Sequence, residues 1–482
     1  MPCLRLLVHE LNEAPRSVLE EHAAAHPGGG LARLLGRGQV WDTVTRDGGH
    51  LSPWTTWATV HRGVGAGEHG VRDLGQDLEQ VNARHPCLWR LALEGGRTVG
   101  VGGSLGSAPL PADAERFAFY LPDCFAQEAQ AHPPALAALQ ELTLAMVDRS
   151  ARNAGGGAGL PWRLGLRAAL RAGELGWGPR TFAAVARQLA SERLHPARRA
   201  RRRNLLPVLG FAAFRRAVRR TRPDLATFFT NHLAASLHRY WPARWPADYE
   251  RLRLPQEWHA RYGGEVDAAL RLADQQVAGL LRLAEEQPGT LVALVSSMGQ
   301  AALDDDQIRE CQLALADLPL FMEALGLPAE AWSRRRAMEP RTVVQVGEAW
   351  RSAFREALGS LRIQGEPLVW AEHDQGVFMV QLGQRNLRSD QIRVERAGVS
   401  VPHASLGLTS LEIEDRTGAY AYHRPEGVLA ILDPSRPGQV QGTWSGGEEP
   451  VDTRALAPAF LEALGVEPPE PMQVRGLRLG PG

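Results

Sequence analysis

Three histidines and a small group of hydroxyls are the residues best placed by type and position to do chemistry. LATFFTNHL reads as a buried strand running into a loop, and the overlapping FFTNHLAASLHRYWP puts His232 and His238 just past that strand. Ligands of doubly wound sheets gather beyond the carboxyl ends of strands, so both histidines are in the right neighbourhood. Far away, AYHRPEGVLAIL puts His423 on a turn immediately before another strand. One such histidine is more often a hydrogen-bonded structural residue. Three of them at strand ends in remote parts of one chain point to a shared site. The hydroxyls Ser52, Thr55 and Thr56 lie in LSPWTTWATVHRG, which has a Ser-Pro helix start and helical spacing of Trp54, Trp57 and Val60.

Other signatures are missing or weak. VGVGGSLGS is glycine-rich after a strand, but it is neither a phosphate-binding GxxxxGK[ST] loop nor a good dinucleotide fingerprint. No GxSxG nucleophile elbow occurs, so those glycines read as a tight strand-to-loop turn. The run from His195 to Arg203, with FRRAVRRTR after it, carries many arginines and few aromatics. It reads as a solvated helical face rather than a nucleic-acid surface.

Several elements must position these residues. CLRLLVH (3–9) reads as a short buried strand, followed by SVLEEHAAAH and GLARLLGRG as helical segments of a βα unit. CLWRLALEGGRTVGVGG reads as helix, turn and strand, and GTLVALVSSMGQ as a strand ending in a polar loop. GGEVDAALRLADQQVAGLLRLAEEQ is an amphipathic helix, and TRALAPAFLEALG the last one. This alternation predicts an α/β fold with a central, mostly parallel sheet sandwiched by helices. Residues 1–132 and 223–345 are expected to build that core, with an Ala- and Arg-rich helical insertion at 133–222. The stretch 346–482 is expected to hold a small sheet subdomain (FMVQLGQ, IRVERAGVS, SLEIEDRT) and then return to the core.

The 482 residues are 44% hydrophobic and carry 54 basic and 54 acidic side chains, so no overall field draws the molecule to nucleic acid or anionic lipid. Every basic residue is arginine. Cys3, Cys87, Cys124 and Cys311 are far apart, which predicts reduced thiols rather than a disulfide frame. The chain opens directly on the strand-like LRLLV, and no apolar run reaches membrane-spanning length. The expectation is a cytoplasmic protein without membrane contact.

Taken in order, five segments resemble the motif series of alkaline phosphatase-like hydrolases, in particular the type I phosphodiesterase/nucleotide pyrophosphatase-like group. VHELNEAP stands where that family carries its first acidic ligand, and LSPWTTWATVHRGVGAGEHGV resembles its nucleophile segment. NHLAASLHRYWP resembles its Asp-xxx-His element, VALVSSMGQ its Asp-His-Gly loop, and YHRPEGVLAI its late His-x-Pro-x-Gly turn. The resemblance implies a phosphoester or phosphodiester hydrolase or transferase acting on a small phosphorylated molecule, with Ser52, or else Thr55 or Thr56, as nucleophile. The family binds two divalent metals; here the Asp-His pair reads Ser297-Met298, and the Asp four residues before His238 reads Ala234. The first-strand acid is Glu10, or has become Asn12. The resemblance therefore implies one reduced metal site, with Glu10, His232, His238 and His423 as ligands of a divalent ion, zinc above others. The alternative it leaves open is an inactive relative that binds a phosphorylated or glycosylated ligand.

Overall fold

The computed structural model describes residues 4–480 except 50, 75, 153–159, 309, 310, 338–340, 374, 375, 383–385, 413–419, 438, 440 and 441. Cys3 and the end of SLEIEDRT lie outside the described residues.

Near-continuous apolar runs, such as LLV within Arg5–Leu11 and TLVALV within Thr290–Ser296, are what a strand buried on both faces requires. They build an eight-stranded sheet. From one edge its order is Val451–Asp452, Gln39–Val44, Glu426–Leu432, Thr290–Ser296, Arg5–Leu11, Leu225–Thr230, Val99–Gly102 and Phe119–Leu121. Only Glu426–Leu432 runs against its neighbours; the remaining pairings are parallel. The first strand begins and ends two residues later than CLRLLVH suggests.

Helices cover both faces. On one side Leu7, Leu11 and Phe228 pack with residues of the helices Arg16–Ala25, Gly30–Arg37, Leu205–Thr221, His232–Arg244 and Glu265–Glu285. On the other, Leu6, Val8, Val295 and Ile431 pack with Trp57 of Pro53–Arg62, Trp89 of Leu88–Glu94 and Phe460 of Leu456–Ala463. Three central strands, Thr290–Ser296, Arg5–Leu11 and Leu225–Thr230, lie side by side and parallel. Their carboxyl ends therefore open on the same edge.

The helical insertion holds Ala137–Arg152, Trp162–Ala169, Pro179–Leu194 and Leu205–Thr221. Its arginine run is only partly the solvated face expected: Arg199, Arg216, Arg219, Arg220 and Arg222 are exposed, but Arg201, Arg202 and Arg203 are not. Pro196–Asn204 is a 3₁₀ stretch in which Arg201 pairs with Glu265 and Arg202 with Glu192, both at 2.8 Å. Arg203 donates to the Ala235 carbonyl at 2.8 Å. Tight 3₁₀ winding next to the buried acids turns these guanidinium groups inward, where they tie the insertion to the core.

A smaller lobe has its own apolar centre, which includes Leu313, Phe354, Phe378 and Leu408, under two four-stranded antiparallel sheets. It leaves the core after Gly299–Ala302 and returns at Ala421–Arg424. These two strands pair antiparallel, with Ala302 opposite Ala421 and Gln300 opposite His423.

Candidate metal centre

The carboxyl ends of the three central strands carry the site. Beyond Leu11 the chain turns through Asn12 and Glu13, and Glu13 takes a left-handed conformation with φ +53°. Such backbone is uncommon for a residue with a side chain, and strained positions cluster at functional sites. The turn brings the Glu13 carboxylate, almost fully buried, against two imidazoles. His238 Nε2 is 2.9 Å and His423 Nε2 3.3 Å from the same atom, Glu13 Oε2. The two imidazole rings lie 5.3 Å apart.

Each imidazole is fixed from behind. His238 Nδ1 meets the Ala421 carbonyl at 2.6 Å, and His423 Nδ1 meets the Leu51 carbonyl at 2.8 Å. A carbonyl only accepts, so each Nδ1 carries the proton, and each Nε2 faces the other groups. Metal-binding histidines are oriented in this way, with the outer ring nitrogen donating to a carbonyl or carboxylate. The ligand atoms of Glu13, His238 and His423 lie within 4.8 Å of one another, and among the described residues they are the one such His/Cys/Asp/Glu group. Two imidazoles and a carboxylate suit zinc with one position open, as in catalytic zinc sites.

Neutral groups complete the surroundings. Asn12 Nδ2 donates to Glu13 Oε1 at 2.9 Å and to Asn231 Oδ1 at 2.7 Å, and its own Oδ1 accepts from Trp57 Nε1 at 2.7 Å. Gln300, opposite His423 in the ladder, donates to Glu13 Oε2. Burial alone would raise the Glu13 carboxyl, but the charges and hydrogen bonds of His423 and His238 hold it well below the usual carboxylate range. Burial alone would lower His423; the charge and hydrogen bond of Glu13, helped by the Leu51 carbonyl, raise it above its ordinary value.

The hydroxyls sort themselves by partner. Thr56 is buried and shares a 2.9 Å hydrogen bond with Ser297. Ser52 is the N-cap of Pro53–Arg62 but makes no capping bond, so its hydroxyl is uncommitted at a helix N-terminus. It directly follows Leu51, whose carbonyl holds His423. Thr55 is half-buried one turn into the helix. A cavity of about 190 Å³ beside His423 is lined by Asp304, Gln307, Tyr422 and Arg424 among others.

Two expected ligands are elsewhere. Glu10 has the parity of Leu6 and Val8, so it faces the opposite helical layer, where its Oε1 meets His61 Nε2 at 2.8 Å. His232 opens the helix His232–Arg244 and turns into the helix layer, its Nε2 3.2 Å from the Ala269 carbonyl. Burial lowers it to about 4, so it is a neutral core histidine. A six-residue step from His232 to His238 is about 240° around a helix, which separates their faces. The acid that does converge, Glu13, was missed; the turn-forming NEAP after the strand is the sequence signal that marks its place.

No protein-family model and no curated protein matches the chain. Among solved structures it is similar to murine ectonucleotide pyrophosphatase/phosphodiesterase 5 in an inactive form with AMP, at 11% identity and a TM-score of 0.39 over 97% of this chain and 96% of that one. It is also similar to phosphonoacetate hydrolase from Sinorhizobium meliloti 1021 in complex with phosphonoformate, at 12% identity and a TM-score of 0.42 over 96% of each chain.

Proposed function

We propose that the protein is a phosphoester or phosphodiester hydrolase of the alkaline phosphatase-like kind, working with a single divalent ion, zinc above others. The observation that carries this reading is the pair of imidazoles whose Nδ1 atoms are pinned to backbone carbonyls while both Nε2 atoms meet one Glu13 oxygen. Glu13, His238 and His423 would hold the ion, and the ion would supply Lewis-acid polarisation of a phosphoryl oxygen. Ser52 would be the nucleophile, because its hydroxyl is uncommitted and follows the residue that anchors His423. Arg424, beside His423, would attract the anionic ester.

The test uses full-length protein prepared without chelators. About one zinc per chain is expected, with release of nitrophenol from a nitrophenyl phosphate mono- or diester; His423→Ala should lose both. No turnover of either ester with zinc or manganese removes the hydrolase reading.

A second reading, a binding protein for a phosphorylated ligand, is favoured by one observation. Both Glu13 oxygens already accept amide hydrogen bonds, from Asn12 and Gln300, so the carboxylate is satisfied without a cation. Protein that contains no metal yet binds AMP or inorganic phosphate would select it. A cytoplasmic setting is supported by the unpaired thiols of Cys87, Cys124 and Cys311.

A further inference from the structure

The helical insertion carries a second surface, distant in character from the metal centre. Of the nine large apolar side chains that stand out as exposed among the described residues, six fall between Trp162 and Leu194. Three of them, Trp162, Leu166 and Leu170, recur every four residues along Trp162–Ala169 and its C-cap, and are 67%, 57% and 81% exposed. Residues four apart share one helix face, so they form an apolar row. The helix is held from behind by buried Ala168 and by Leu164, and the following turn by buried Leu175 and by Trp177, whose indole donates to the Leu209 carbonyl at 3.1 Å. The row is therefore presented by a fixed scaffold.

Charge accompanies the row. Arg163, Arg167 and Arg171 follow it one residue later, all exposed, with Arg167 3.0 Å from Glu141 and Arg171 3.3 Å from Glu174 in solvent-facing pairs. Across 161–204 seven arginines are exposed (163, 167, 171, 180, 187, 193 and 199), against one exposed acid, Glu174. The molecule as a whole is neutral, so its cationic character is gathered on this insertion. A second copy would bring the same positive field and be repelled. Nucleic acid would satisfy the arginines but gives aliphatic Leu166 and Leu170 nothing to bury in. A bilayer with anionic lipid accepts both: apolar side chains enter the headgroup boundary, Trp sits at that level, and guanidinium groups meet the phosphates.

We propose that the insertion docks on anionic phospholipid surfaces through Trp162, Leu166 and Leu170, with the neighbouring arginines supplying the attraction. The expectation of no membrane contact rested on apolar run length and on balanced charge, and neither detects a lipid-surface helix. In the test, full-length protein is sedimented with vesicles of phosphatidylcholine alone or mixed with phosphatidylglycerol. Binding is expected only to the anionic vesicles and should weaken as salt rises. The triple variant Trp162→Ser, Leu166→Ser, Leu170→Ser should lose at least about tenfold in vesicle affinity, with an unchanged melting temperature because all three side chains are exposed. The inference is overturned by absence of binding, or by equal binding of the variant. It is also overturned if the variant instead loses nucleic-acid binding or a dimer in light scattering, with no vesicle binding in the wild type.

Discussion

Replacing Glu13 by Gln in metal-free protein removes one negative charge with almost no change in volume, and the structure sets how its cost should vary with pH. The carboxylate is buried and meets both imidazoles at 2.9 and 3.3 Å, so solvent screens the contacts weakly. Breaking a buried ion pair by removing one partner costs about 3–5 kcal/mol. The lower part of that range applies here, because Gln300 and Asn12 remain to hydrogen-bond the new amide and an imidazole can release its proton. About 3 kcal/mol is expected, or roughly 2 °C of melting temperature per kcal/mol or less in a chain of this size. The Glu13 carboxyl is depressed, so its contribution is present above the unfolded carboxyl value and fades as pH falls through the folded one. His423 is raised, so its contribution is present below the unfolded imidazole value and fades as pH rises through the folded one. The two overlap between about pH 4.5 and the low sixes, and there the wild type should exceed Glu13→Gln by most. Scanning calorimetry in chelator across pH 5 to 9 reads this directly. A difference that is flat over the range, or grows toward pH 9, would refute the charged-triad account.

Ser52→Ala should keep about one zinc per chain yet lose at least about a thousandfold in kcat, whereas Thr56→Ala, which breaks the bond to Ser297, should cost about 1–2 kcal/mol of stability and leave turnover within about tenfold; parallel metal content, melting and ester-hydrolysis measurements separate the two hydroxyls. Glu10→Gln should leave metal content and KM unchanged while weakening the buried contact to His61 by about 1–3 kcal/mol, so a loss of zinc in this variant would show that the first-strand acid had been assigned to the wrong layer.

Most of the architecture was legible because buried parallel strands write themselves as apolar runs. Thr290–Ser296, Leu225–Thr230 and the amphipathic Glu265–Glu285 all stand where periodicity puts them. The site was legible only where a residue's place did not depend on an exact boundary. His238 and His423 converge as expected. Glu10 does not, because the first strand runs on to Leu11 and its two-residue period sends that side chain to the opposite face. Glu13 depends on a left-handed backbone angle, for which Glu has no preference, so tertiary contacts rather than local propensity select it. His423 was expected on a turn, but pairing with Gly299–Ala302 makes the segment a strand, and no local pattern announces a partner so far away in the chain. The inward-facing arginines at 201–203 follow the same rule, since only the fold brings Glu265 beside them.

The short ladder that carries Gln300 and His423 has a further consequence for how such a chain can change. Both ends of the small lobe leave from neighbouring rungs: Ala302 faces Ala421, and the Leu303 amide bonds the Tyr420 carbonyl at 2.9 Å. The intervening hundred-odd residues thus form a cassette clasped at its base, and a tight turn could bridge the same gap. Such a cassette could be lengthened, trimmed or replaced while the rungs below keep their register, leaving the Glu13, His238 and His423 group in place.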